Sequence, residues 1–131
     1  MSVIPSVAAG LAQLQALATF LDTGSGNATF SFYNDSKPSS VAVAANPSAR
    51  LVSLSLTKPC FKALNADNIE LNPTDAATVT KTGTAIWARL YNGNGDAVAD
   101  FTVGTDITLA NPSLALGSTL MINSIVLRPS T

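Results

Sequence analysis

The spacing of apolar residues along this chain changes period once, near residue 28. From Ser6 to Leu21, the residues Val7, Leu11, Leu14, Ala18 and Leu21 recur at intervals of three and four, the spacing of one helical face. Leu17 and Phe20 widen that stripe. Ser6 is placed to cap the first turn, and Pro5 blocks an earlier start. Asp22-Thr23-Gly24-Ser25-Gly26-Asn27 ends the helix with glycines that accept positive φ. Such a helix has two uses: to cover the sheet of its own domain, or to dock on a neighbouring subunit.

Beyond it the alternation is that of strands. Ala28 to Tyr33 reads as a strand, and Asn34 to Ser48 as a long loop with Pro38 and Pro47. Arg50 to Thr57 alternates cleanly, with Val52, Leu54 and Leu56 on one face and Ser53, Ser55 and Thr57 on the other. Pro59 breaks that run, and Cys60 to Leu64 and Asn68 to Leu71 are short strand candidates. Thr84 to Tyr91 is the strongest strand, with Ile86, Ala88 and Leu90 facing one way and Trp87, Arg89 and Tyr91 the other. Asn92-Gly93-Asn94-Gly95 then supplies the Asn-Gly pairs of a tight hairpin, and Ala97 to Val103 returns as the partner. Ile107 to Leu109 is a further short strand. Thr119 to Arg128 reads as one long final strand, apolar on both faces, with Leu120, Ile122 and Val126 against Met121, Ile125 and Leu127. Seven or eight short strands separated by turn signals predict a mainly β domain, a β-sandwich or jelly-roll-like fold with one N-terminal α-helix. Residues 1–27 are then an N-terminal helix or arm with its linker, and residues 28–131 the sandwich.

Composition sharpens this picture. The 131 residues suffice for one domain, and they are 47% hydrophobic but only 11% charged. A typical soluble domain is about a quarter charged, so part of this surface is expected to be covered in an assembly. The seven Lys and Arg residues are scattered, and no basic run tracks a phosphate backbone, which argues against direct nucleic-acid binding. The apolar start lacks the Lys or Arg of a signal peptide. No run of eighteen apolar residues offers a membrane span. Synthesis and assembly in a cytoplasm are therefore expected, and the single Cys60 fits a reducing compartment.

The candidate chemistry is thin. The chain has no histidine, which removes the commonest general base and metal ligand together with every Ser-His-Asp or Cys-His device. Neither a Gly-Lys-Ser/Thr phosphate loop nor a Gly-x-Ser-x-Gly elbow occurs. Gly24-Ser25-Gly26 follows a helix, whereas phosphate cradles precede one. Asn94, Asp96, Asp100 and Asp106 gather around the hairpin without the spacing of a calcium loop. With Glu70 and seven aspartates as its carboxylates and few aromatic platforms, the chain makes a poor glycosidase. No catalytic residue, cofactor or metal is assigned.

Four stretches carry a resemblance. They are Thr29 to Pro38, with its Tyr-x-x-x-x-Pro turn; Leu51 to Leu56 followed by Pro59-Cys60-Phe61; Thr82 to Gly95 with Asp100 to Gly104 just after; and Leu116 to Ser124. In that order, over about residues 28 to 128, the chain resembles a family of small uncharacterised proteins encoded among the structural genes of tailed bacteriophages and prophages. The resemblance implies a virion or assembly role; with the thin chemistry, the expectation is a non-enzymatic virion protein with the major capsid protein or other virion subunits as partners and a dimer or trimer of itself as its state. A capsid decoration or cement role is the first reading. A connector or tail-associated subunit, and a receptor- or carbohydrate-binding module, are the alternatives. The expected interface residues are Leu11 and Leu14 of the helix and the aromatic-Arg-aromatic row Trp87, Arg89 and Tyr91, residue types enriched at binding hot spots. Ordinary cross-strand packing is the competing explanation of that row.

Overall fold

Ser6 starts the helix in the way its sequence predicts. In a computed structural model describing residues 5–107, 109, 111–123 and 125–129, its side chain accepts the Ala9 N–H at 3.2 Å, and α1 runs over Val7–Leu21. The face that turns inward buries Gly10, Ala18 and Leu21, with Leu11, Leu14 and Leu17 packed partly against the core. Asp22 ends α1 and accepts the Cys60 N–H at 3.1 Å. The helix therefore lies on its own domain and shares that domain's core.

The rest of the chain is β-rich, and every named strand pairs antiparallel. The strands are β1 (Thr29–Tyr33), β2 (Arg50–Ser55), β3 (Phe61–Leu64), β4 (Ile69–Leu71), β5 (Ala77–Thr78) and β6 (Gly83–Thr84). They continue as β7 (Trp87–Tyr91), β8 (Ala97–Thr102), β9 (Ser113–Leu114), β10 (Thr119–Leu120) and β11 (Ile125–Leu127). The main sheet has the order β2-β1-β7-β8, a second has β11-β4-β3, and β10-β5 and β6-β9 form two ribbons. One core joins the two larger sheets. Phe30 and Phe32 of β1, Val52 and Leu54 of β2, and Ala88 and Leu90 of β7 meet Ile69, Leu71, Ile125 and Leu127 there. The alternation read over Arg50 to Thr57 holds, except that Leu51 is also buried, because the pairing of β1 with β2 slips by one residue at Phe32/Tyr33.

Eleven described strands replace the expected seven or eight because two predicted long strands each change partner midway and the short strands β5 and β9 fall outside the predicted ones, while Ile107 to Leu109 gives no named strand. Thr84 to Tyr91 divides at Ala85 and Ile86. The Ala85 N–H bonds Pro112 O (2.8 Å), on the β9 side, and the Ile86 N–H bonds Tyr33 O (2.8 Å), on the β1 side. Ile86 is consequently exposed, while Ala88 and Leu90 stay in the core. Thr119 to Arg128 divides likewise. Ile122 is held by Thr74 through both its N–H (to Thr74 Oγ1, 3.0 Å) and its carbonyl (from Thr74 N–H, 2.9 Å). The buried residues are then Ile122, Ile125 and Leu127, a change of parity that no single strand permits. Ile107 makes an isolated bridge to Val103, and Thr108 of that predicted strand lies outside the described residues.

The β2 edge of the main sheet is partly paired, and the β8 edge is interrupted. On β2, Leu51 O accepts the Thr80 N–H and Ser55 O the Asp75 N–H, each at 2.9 Å. On β8, a register shift opposite Leu90/Tyr91 leaves Val98 as an extra residue, and the Thr102 N–H donates to Asp106 Oδ2 at 2.9 Å.

The hairpin is wider than a two-residue turn. Asn92, itself buried, accepts the N–H groups of Asn94 (3.0 Å) and Asp96 (2.9 Å) on its side-chain oxygen, and Gly95 takes the positive φ of 86°. Gly93 serves a different purpose: it lies against the turn after α1. The Gly26 N–H bonds Gly93 O at 3.2 Å, the Gly93 N–H bonds Leu21 O at 3.3 Å, and a Cβ at 93 would stand 2.2 Å from Gly26 O. Around Gly95, a Cβ would meet nothing within 4 Å. Gly93→Ala should therefore cost about 3 kcal/mol, through backbone displacement. Gly95→Ala should cost only about 1 kcal/mol, for its left-handed conformation. Urea unfolding of the two variants measures the difference, and equal losses would contradict the close approach.

Candidate functional site

The main sheet has a second face, opposite the core, and this face carries the polar chemistry of the protein. Period two places Ser31 and Tyr33 of β1, Ser53 and Ser55 of β2, Trp87, Arg89 and Tyr91 of β7, and Asp100 of β8 there. Register sets Arg89 directly opposite Asp100. The guanidinium makes a two-point contact, Nε to Oδ1 at 2.6 Å and Nη2 to Oδ2 at 3.0 Å. Nη2 also reaches Ser40 O at 3.4 Å. Arg89 is 2% exposed, and its hydrogen bonds to Asp100 outweigh burial and raise its pKa further above the ordinary range.

An aromatic stack stands beside the ion pair. Tyr33 and Trp87 are parallel, with centroids 4.4 Å apart, and the Arg89 guanidinium carbon is 5.1 Å from the Trp87 ring centre. Trp87 Nε1–H donates to Asp35 Oδ1 at 2.7 Å. The segment 34–49, ending in a 3-10 turn over Pro47–Ala49, holds this end of the face from outside, where Ala45 and Ala49 pack on Tyr33 and Trp87. Asn34 N–H to Ala49 O (3.1 Å) and Lys81 Nζ to Ser48 O (2.5 Å) tie down its ends.

The expected interface row is therefore not a surface row. Trp87 is fully buried and Arg89 nearly so within the chain's own fold, and only Tyr91 is partly open. The cause is the long loop, whose path across the sheet no local pattern gives. Leu11 and Leu14 lie elsewhere, half-buried on α1. Leu14 lines a cleft of about 460 Å³ between the helix, β8 and β11.

Where the loop ends, the polar face stays accessible as a shallow groove of about 410 Å³. Its floor holds two hydroxyl pairs, Ser31 Oγ with Ser53 Oγ at 3.0 Å and Tyr33 OH with Tyr91 OH at 2.7 Å. Arg50 stands at one side, and Ala45 and Pro47 form an apolar wall. Burial, and then the hydrogen bond to Tyr91, push the Tyr33 phenol well above its ordinary pKa, while the Arg50 charge pulls it down. Sequence reasoning passed over this groove. Its only sequence signal is the small hydroxyl residues at alternate positions of two segments, and these become one surface only once their pairing is known.

Several other titratable groups are committed to holding the fold. The Cys60 thiol is buried, donates to Ala18 O at 3.4 Å, and is pushed up to about 12, first by burial and then by the Asp22 charge. Asp96 faces Asn92, Asp100 holds Arg89, and Asp106 accepts from Thr102. Among the described residues no three acidic, His or Cys side chains converge as a metal site would need. No helix among them is long and apolar enough to cross a membrane. No protein-family model, curated protein or solved structure matches the chain.

Two outcomes follow. Arg89→Ala or Asp100→Ala alone strands a buried charge, so each should lower the unfolding free energy by about 3–5 kcal/mol. The double variant Arg89→Met/Asp100→Leu should recover most of that loss in the same denaturant titration. Cys60 should resist a thiol reagent at pH 8 until the protein is unfolded. Its folded pKa lies above the ordinary thiol value of 9.0, so its contribution to stability is complete below pH 9 and declines as pH rises towards 12. Unfolding midpoints across that window check the sign.

Proposed function

We propose that this protein is a non-enzymatic structural subunit of a tailed-phage particle, and in the first place a capsid decoration or cement protein seated on the coat lattice. The observation that carries the reading is the pairing of low charge with exposed large apolar side chains. Only 11% of residues are charged. Against that, Leu116 is 67%, Leu64 52%, and Phe20 and Met121 each 47% exposed. Such side chains are what a subunit buries against a partner, with polar residues at the rim. The ordered likeness to small phage structural-gene products points the same way.

A decoration protein works by linkage: a ligand that binds only the assembled shell stabilises the shell by mass action. The connection from β9 to β10, which presents Leu116 on a turn with Gly117 at φ 86° and Met121 just after β10, is the surface offered to a partner. Trp87 is unsuited to probing the interface, because a charge placed there would test folding instead of docking. The connector or tail position is distinguished by copy number.

Quantitative mass spectrometry of purified particles should find about one copy per one to a few coat subunits, the many-fold contact that mass-action stabilisation of a shell requires. A ratio near one to several tens would move the protein to a vertex, connector or tail, and absence from particles would remove the structural reading. Leu116→Glu/Met121→Glu should fold normally and lose incorporation.

A further inference from the structure

The hairpin after β7 holds two Asn-Gly pairs, Asn92-Gly93 and Asn94-Gly95, and the chain has no third. Such pairs are open to a reaction that needs no enzyme. The backbone nitrogen of the glycine attacks the side-chain carbonyl carbon of the asparagine. A C–N bond forms there, and the side-chain nitrogen leaves as ammonia, taking the proton of the glycine N–H. Water then opens the resulting cyclic imide at either carbonyl. Opening at one gives aspartate; opening at the other gives isoaspartate, in which the main chain runs through the side chain. Glycine is the most permissive follower, because it has no Cβ to hinder the attack or the backbone rotation that the attack requires.

The fold treats the two pairs differently. Asn92 is 2% exposed, and its side-chain oxygen accepts two backbone N–H groups, from Asn94 at 3.0 Å and from Asp96 at 2.9 Å. To reach the Gly93 nitrogen, that side chain must rotate away and leave both donors unpaired. The Gly93 N–H is itself committed, to Leu21 O at 3.3 Å, and the residue is wedged against the turn after α1. Asn94 has none of these restraints. It is exposed, and its side-chain amide makes no hydrogen bond among the described residues. Gly95 is exposed too, with open space where a Cβ would project. A single bond, Gly95 N–H to Asn92 O at 2.9 Å, stands between the glycine nitrogen and attack. It lies at the tip of a turn, where local opening is easiest.

We propose that Asn94 is a site of spontaneous deamidation in the folded protein, and that the fold shields Asn92 from the same reaction. Either product adds one negative charge to a net of −1, two residues from Asp96. The isoaspartate product does more. It lengthens the main chain by one carbon between residues 94 and 95, inside the turn that the Asn92–Gly95 bond closes. That turn joins β7 to β8 and packs backbone against backbone on the turn after α1, where a Cβ at Gly24 would stand 2.5 Å from the Asn94 nitrogen. Conversion to isoaspartate therefore loosens the hairpin as the molecule ages, whereas conversion to aspartate leaves the path of the chain intact. The site does not depend on the virion reading.

The test is incubation of the full chain at mildly alkaline pH, with and without denaturing urea. Peptide mass spectrometry then reads deamidation at each asparagine, and fragmentation separates aspartate from isoaspartate. In the folded protein Asn94 should convert at least about tenfold faster than Asn92, which must give up two hydrogen bonds to react. In urea the two rates should come within about twofold of one another, because only the fold distinguishes the pairs. Asn94→Gln, whose longer side chain cyclises far more slowly, should remove the folded-state reaction at the hairpin and leave Asn92 shielded. Its thermal midpoint should match the parent's, because the side chain is exposed. Purified isoaspartate protein should melt below the aspartate form. The proposal is overturned if Asn92 converts as fast as Asn94 in the folded protein, if the preference for Asn94 persists unchanged in urea, or if Asn94 converts in the unfolded chain alone.

Discussion

Taking a guanidinium out of water costs several kcal/mol unless its donors find partners inside the protein. At Arg89 that requirement reaches through much of the outer face of the main sheet. Its carboxylate partner, Asp100, faces it only in one register of β7 and β8, and a slip of one residue would turn Asp100 into the core. The register is set in turn by the hairpin, where the buried Asn92 side chain gathers two backbone N–H groups. A further acceptor comes from Ser40, so the segment after β1 must pass over the sheet to deliver it. That passage covers Trp87 and brings Asp35 to its indole nitrogen. Turn, register, ion pair and covering loop form one chain of dependence.

The hydrophobic pattern made the helix and the mainly β class legible, because these follow from period alone. Ser6 and the stripe from Leu11 to Leu21 needed no tertiary information. The strands around Phe30, Leu54 and Leu90 were legible for the same reason: apolar side chains recur there at every second position. Strand number was not legible. The breaks at Ala85–Ile86 and at Ile122 carry no glycine or proline. They arise because the backbone changes partner from one sheet to another, a tertiary event with no local mark other than the change of parity between Ile122 and Ile125.

The outer face was the least legible part. Trp87, Arg89 and Tyr91 were rightly placed on one side of a strand, but which side meets water depends on a fifteen-residue stretch of mostly small residues with no periodicity, 34–48. Aromatic and arginine side chains are favoured both at interfaces and under loops, so residue type could not decide. The glycines were likewise ambiguous. Two adjacent Asn-Gly pairs look like two candidates for one turn, yet Gly95 supplies the conformation and Gly93 the room for the end of α1 to approach.

The interrupted edges of the main sheet have a consequence for how this chain meets other chains. A net charge of −1 gives copies little mutual repulsion, so electrostatics does not keep a concentrated solution apart. An open, flat, apolar strand would then act as a seed for fibre growth. Here the Thr80 and Asp75 amides occupy one border, and the extra residue at Val98 and the Asp106 side chain disrupt the other. Polymerisation through a continuing backbone ladder is thereby discouraged at the main sheet. Contacts with other molecules are left to side chains, whose fit is selective and reversible.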